Sequence, residues 1–146
     1  MEFNRICKEN NEIYHGVTRA LGLTDCAFWI LYTLRESEGE YTQRDLCAVL
    51  CEPKQTVNSA VANLIQKGLV YLEPGKGRSK YIRPSEAGQK IIQEKIEPIR
   101  RAECLALQQM TPEERRYLVA LTDRYIGLLH TEMTREAEKF KRKDQL

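Results

Sequence analysis

Apolar positions recur at helical spacing along most of the chain, and two β-prone runs flank a turn near its middle. Phe3, Ile6, Ile13, Val17 and Leu21 are scattered through a polar first stretch, predicting a helix that Gly22 ends. Thr24 and Asp25 open a second helix with Ala27, Ile30, Leu31 and Leu34 on one buried face, and Gly39 is expected to stop it. Thr42 is the predicted N-cap of a short third helix, with Asp45 completing a near capping box and Leu46, Val49 and Leu50 facing inward. Pro53 falls where the first turn of a fourth helix tolerates it, because the N–H there has no intrahelical partner. That helix runs to Lys67 and ends at Gly68.

Beyond it, Leu69 to Glu73 and Lys80 to Arg83 read as strands around a Pro74-Gly75-Lys76-Gly77 turn. Ser85 caps a long fifth helix with Ile92, Ile96, Ile99 and Ala106 at heptad-like spacing; Pro98 inside it is expected to kink or divide it. Thr111, Pro112 and Glu114 open a last helix as N-cap, first helical residue and capping-box acid. Leu118, Leu121, Tyr125 and Leu128 form a stripe on it, and Val119, Ile126 and Leu129 lie beside that stripe. A helix apolar on more than one face implies burial against a partner. The tail from Lys139 to Leu146 is expected to fray. The fold class is therefore mainly α with a small β-hairpin: a winged helix-turn-helix flanked by N- and C-terminal helices.

Composition narrows the function class. The chain has 146 residues, 42% hydrophobic and 30% charged, the profile of one soluble globular domain with helical extensions. No apolar run approaches the roughly 20 residues that cross a bilayer, so no membrane partner is expected. The polar start Met1 to Lys8 is unlike a signal peptide, which points to a cytoplasmic location. The five cysteines (Cys7, Cys26, Cys47, Cys51, Cys104) are odd in number and form no Cys-x-x-Cys pair, as expected of reduced thiols. Net charge is only +2, but Tyr41 to Pro84 holds seven basic and three acidic residues and is +4, leaving the remainder at −2. Such a fluctuation alone does not separate a DNA footprint from chance.

The faces of the fourth helix carry more information. Val57, Ala60, Val61 and Leu64 form a packing side; Lys54, Gln55, Asn58, Ser59, Ala62, Asn63 and Gln66 lie opposite, without a carboxylate. Solvated helix faces commonly mix Glu with Lys. A compact face of amides and hydroxyls suits approach to base edges in the major groove, and the helix N-terminus favours phosphate. The short helix before it completes a helix-turn-helix. The hairpin supplies a wing whose tip carries Lys76, Arg78 and Lys80, cations suited to phosphates or a narrow minor groove. The competing reading is a winged-helix protein-interaction module without specific DNA binding.

The ordered series Leu21-Gly-Leu-Thr24, Thr42-Gln-Arg-Asp-Leu46, Gln55-Thr-Val-Asn58, Leu64-Ile-Gln-Lys-Gly-Leu-Val70, Tyr81-Ile-Arg-Pro-Ser-Glu-Ala-Gly88 and Thr111-Pro-Glu-Glu114 resembles the MarR family of transcriptional regulators. The resemblance implies one domain over 1–146, with a DNA-binding lobe at 24–84 and dimerisation helices at 1–21 and 85–146. It implies a homodimer on a pseudo-palindromic operator of double-stranded DNA, acting as a repressor relieved by a small ligand or an oxidant. Carried over by position, Thr42, Pro53, Lys54, Gln55, Thr56, Asn58, Ser59, Asn63, Lys76, Arg78 and Lys80 are the expected DNA-binding residues. Two departures stand out. Glu73-Pro-Gly-Lys-Gly-Arg78 replaces the Asp and Arg clamp of many relatives, and Ser59 stands where relatives often have arginine.

Sensing chemistry is thinner. Cys51 sits just before the recognition helix, so its oxidation could disturb DNA binding, although most cysteines are inert. His15 and His130 have no partner ligand at helical spacing, so no metal site is expected. Tyr14, His15, Trp29 and Tyr32 are candidate liners of an effector pocket, aromatics that more often are simply core; no ligand is assigned. No nucleotide-binding glycine loop or nucleophile elbow occurs, so no enzyme and no cofactor is expected.

Overall fold

The computed structural model describes residues 2–35 and 41–143, with side chains through 141. Helix α1 (Glu2–Ala20) ends where Gly22 turns at φ 67°, and α2 (Asp25–Arg35) follows. The stop expected at Gly39 lies outside the described residues. Next come α3 (Gln43–Leu50), α4 (Lys54–Gln66), β1 (Val70–Pro74), β2 (Lys80–Pro84) and α5 (Glu86–Ile91). A π-helical turn (Ile92–Ile96) leads into α6 (Glu97–Gln108), and α7 (Pro112–Lys143) closes the chain. The chain divides into two compact units, Met1–Arg100 and Arg101–Leu146.

The first unit is built around α2. Cys26, Ala27, Phe28, Ile30, Leu31 and Leu34 are all buried, so α2 is apolar well beyond one stripe. Leu46 of α3, the predicted packing side of α4, Val70, Ile82, Ile92 and Ile96 close the core around it. Each fully buried side chain of this size contributes about 1.5–3 kcal/mol, which is what holds the surface elements in place. Val49 is an exception to the predicted inner face, being 54% exposed. Three residues along a helix leave it about 60° from Leu46, and so short a helix buries only a narrow stripe.

The strands pair antiparallel in the register Val70↔Pro84, Tyr71↔Arg83, Leu72↔Ile82, Glu73↔Tyr81 and Pro74↔Lys80. The Ile82 N–H also donates to the Tyr41 carbonyl at 2.9 Å, tying the hairpin base to the segment before α3. Ser85 caps α5 by accepting from the Gly88 N–H and donates its hydroxyl to the Gly68 carbonyl at 2.6 Å. At Gly88 the backbones approach so closely that a Cβ would lie 1.9 Å from the Leu69 carbonyl oxygen. That packing sets the hairpin against the helix that follows it.

Pro98 does mark a division, but the change falls one turn ahead of it. The Glu97 N–H reaches back to the Ile92 carbonyl, five residues away rather than four. Proline lacks an N–H and its ring crowds the carbonyl four residues earlier, so a widened turn relieves the clash.

In the second unit, α7 begins as expected. The Thr111 N–H donates to Glu114 Oε2 at 2.7 Å, and the Glu114 N–H donates to the Thr111 hydroxyl. The helix continues through Lys143, past the fraying expected from Lys139, with Lys139 paired to Glu136 at 2.6 Å. No side chain from Arg101 to Lys141 is buried.

Candidate nucleic-acid interface

The helix-turn-helix starts from a cap. Thr42 Oγ1 accepts from the Asp45 N–H, while Asp45 Oδ2 accepts from the Thr42 N–H at 2.9 Å and the Thr42 hydroxyl at 2.7 Å. These bonds hold the Asp45 carboxyl below its ordinary pKa. The hydroxyl of Thr42, an expected DNA contact, is engaged in this cap. After α3, Cys51 adopts φ 53°, the left-handed geometry that usually falls to glycine, and its N–H and that of Glu52 return to the Cys47 carbonyl. Pro53 then precedes α4 as its N-cap with no side-chain capping bond, so the opening N–H groups of α4 have no side-chain acceptor there.

Along α4 the two faces separate as the sequence predicts. Val57, Ala60, Val61 and Leu64 are buried. Lys54, Gln55, Thr56, Ser59 and Asn63 are exposed, as is Pro53 just before them. Asn58 is half-buried, and its Oδ1 is enclosed without a hydrogen-bond partner among the described residues. An enclosed oxygen without a donor is costly, so this amide is not at rest as a simple solvated side chain.

The wing tip carries Lys76, Arg78 and Lys80, all exposed. Its turn is closed by Gly75 N–H to Ser79 carbonyl at 2.9 Å and Ser79 N–H to Lys76 carbonyl at 3.2 Å, with Gly77 at φ 64°. Between wing and helices lies an open cleft of about 620 Å³, whose lining includes Arg44, Lys54, Arg78 and Lys80 and no carboxylate. Gln43, Ser79, Cys47 and Leu72 complete it with Thr42. The sequence reading did not single out Gln43, Arg44 or Ser79. In the sequence Arg44 contributes to the regional charge, and its place just inside the first helix of the pair is the signal that points to it.

The other candidates gather elsewhere. Tyr14, Trp29 and Tyr32 are half-buried and pack as a ring cluster, with centroids 4.9 Å apart for Tyr14–Trp29 and 5.3 Å for Trp29–Tyr32. His15 is exposed and its Nδ1 lies 2.9 Å from Asp25 Oδ2. The Asp25 carboxyl sits below its ordinary pKa, chiefly through the Thr18 hydroxyl and then through His15. Cys51 is exposed, whereas burial pushes the Cys26 thiol up. Among the described residues no group of three or more His, Cys, Asp or Glu could hold a metal ion. Among them, too, no helix is long and apolar enough to cross a membrane.

Residues 15–79 match the model of the MarR family, so the resemblance seen in the sequence holds. No curated protein matches the chain. A MarR family regulator from Neisseria meningitidis, NMB1585, is 20% identical, covering 93% of this chain and 99% of its own, with a TM-score of 0.75. The S. aureus MepR–DNA complex is 22% identical over 87% of this chain and 94% of that one, with a TM-score of 0.69. A MarR family transcriptional regulator from Listeria monocytogenes, complexed with 26mer DNA, is 22% identical over 90% and 88%, again with a TM-score of 0.69. The chain has the winged-helix fold of these structures.

Proposed function

With residues 15–79 matching the MarR family and the chain folded as its members are, we propose that this protein is a sequence-specific DNA-binding transcriptional regulator. In this reading it is a homodimeric repressor of a pseudo-palindromic operator, released by a small ligand or an oxidant. The observation that carries the reading is the exposed face of α4, free of carboxylates, beside a cleft lined by Arg44, Lys54, Arg78 and Lys80. Residues 24–84 are the DNA-binding lobe, and 1–21 and 85–146 supply the dimer.

Roles follow from chemistry. Gln55, Asn58, Ser59 and Asn63 read base edges, with Thr56 and Pro53 at the helix entrance. Lys54 and the opening N–H groups of α4 hold phosphate, and Lys76, Arg78 and Lys80 extend the contact along the backbone or into the minor groove. Arg44 joins them from α3. Structures of this fold from S. aureus and Listeria monocytogenes were solved on DNA, which supports the same use here. Exposed Leu118, Leu121, Tyr125 and Leu128 on α7 support the dimer.

Release by an effector acts through the ring cluster of Tyr14, Trp29 and Tyr32, with His15 next in sequence to Tyr14, and release by an oxidant through Cys51. Trp29 is the sole tryptophan of the chain, so its fluorescence reports binding there. The deciding experiment is a gel shift with DNA flanking the protein's own gene against random DNA of equal length. Specific retention supports the reading, and equal affinity for both favours the protein-interaction module instead. If peroxide releases DNA, Cys51→Ser should abolish the release; release that persists clears this cysteine.

A further inference from the structure

Glu73 is the single carboxylate between Gly68 and Ser85, on a hairpin whose tip carries Lys76, Arg78 and Lys80. An acid there weakens the pull on phosphate, so its placement calls for a structural use. The strand register supplies one. Glu73 faces Tyr81 and Tyr71 faces Arg83, which brings Glu73 and Arg83 together on a diagonal of the hairpin's outer face. Glu73 Oε2 accepts from Arg83 Nε at 2.7 Å. The same guanidinium lies 5.8 Å from the centre of the Tyr81 ring. That ring fills the space beside Gly75, where a Cβ would come 2.7 Å from Tyr81 Cε2. Gly75 in turn holds the tip turn through its N–H to Ser79. Contact therefore runs unbroken from Glu73 through Arg83 and Tyr81 to Gly75 and the tip.

We propose that Glu73 and Arg83 are positioning residues, a brace on the outer face of the hairpin that fixes the direction of the wing tip and hence the reach of Arg78. Arg83 is committed to the brace, and the tip cations are left to meet DNA. The consequence of the brace for binding rests on the reading that the wing touches DNA.

Two accounts of Glu73 predict opposite signs. If the carboxylate acts only through its charge, Glu73→Gln strengthens DNA binding. If it braces the wing, Glu73→Gln weakens binding about three- to tenfold and makes the salt dependence shallower, as a phosphate contact is lost. The charge-swapped pair Glu73→Arg with Arg83→Glu keeps the net charge and should recover at least half of the loss on a logarithmic scale. Gly75→Ala, which displaces the Tyr81 ring, should weaken binding like Glu73→Gln. Independently of DNA, hydrogen exchange at the Gly75 and Ser79 amides should quicken about tenfold in Glu73→Gln, while the melting temperature of the lobe stays unchanged. Tighter binding by Glu73→Gln, or unchanged exchange at those amides, overturns the brace. If the wild-type protein shows no DNA preference, the DNA reading fails while amide exchange still decides the brace.

Discussion

Helices α4 and α7 both expose long faces, yet they are unfinished in opposite ways. Behind the exposed face of α4 stand four fully packed residues and the core around α2, so the face is held rigidly and is polar. Along α7 no described side chain is buried, and the exposed set includes large apolar residues: Leu118 at 47%, Val119 at 69%, Leu121 at 61% and Leu128 at 59%. A polar face on a finished core waits for a polar ligand and costs nothing while empty. An apolar face without a core costs free energy until something covers it. The difference separates a lobe whose core closes around α2 from a helix whose large apolar side chains stay exposed, as the proposed dimer requires.

The strongest way to break this contrast is to charge the α7 face. If the proposed dimer forms through this face, Leu121→Arg with Leu128→Arg should convert it to a monomer in sedimentation, and should lower operator affinity by at least about a hundredfold as the second half-site contact is lost. The lobe should keep its fold; a variant that stays dimeric would show that this face is not the one covered. Next in size is Gly88→Ala, which drives a Cβ into the Leu69 carbonyl and should destabilise the lobe by about 2–3 kcal/mol in denaturant unfolding. A change within half a kcal/mol would mean that the hairpin packs less tightly on α5 than described.

Arg78→Ala sharpens the other side of the contrast. It should weaken DNA binding about tenfold and reduce the salt slope by about one, leaving the dimer intact. Unchanged affinity would remove the wing from the interface. The smallest effect concerns acid. Glu97 accepts from Arg35 at 3.0 Å and from Arg100 at 3.1 Å, which holds its carboxyl below its ordinary range. A carboxyl with a lowered folded value contributes stability that is present above about pH 4.3 and lost as pH falls through that lowered value. Glu97→Gln should therefore melt lower than wild type at neutral pH, and the two melting curves should converge in acid. A constant gap across pH would assign the loss to packing instead.

Local chemistry explains what was legible from residues alone. The caps at Thr42, Ser85 and Thr111 need only a hydroxyl or carboxylate within three residues, and all three formed. The buried side of α4 follows from helical spacing, as does the uncharged polar side that carries most of the candidate site. What was hidden depends on tertiary approach. Val49 has an apolar side chain, but among the described residues no element covers it. Gln43, Arg44 and Ser79 join the cleft only when the wing folds beside α3. Glu73 and Arg83 are ten residues apart, and only the strand register makes them partners.

In the proposed function, the α4 face and the cationic cleft beside it read DNA sequence. Its most direct test is fluorescence anisotropy of the wild-type protein with DNA flanking its own gene and with scrambled DNA, at several salt concentrations. The account predicts at least about a thousandfold preference for the flanking sequence at physiological salt, with affinity for both falling steeply as salt rises. Equal affinity for the two DNAs, or binding indifferent to salt, would contradict it.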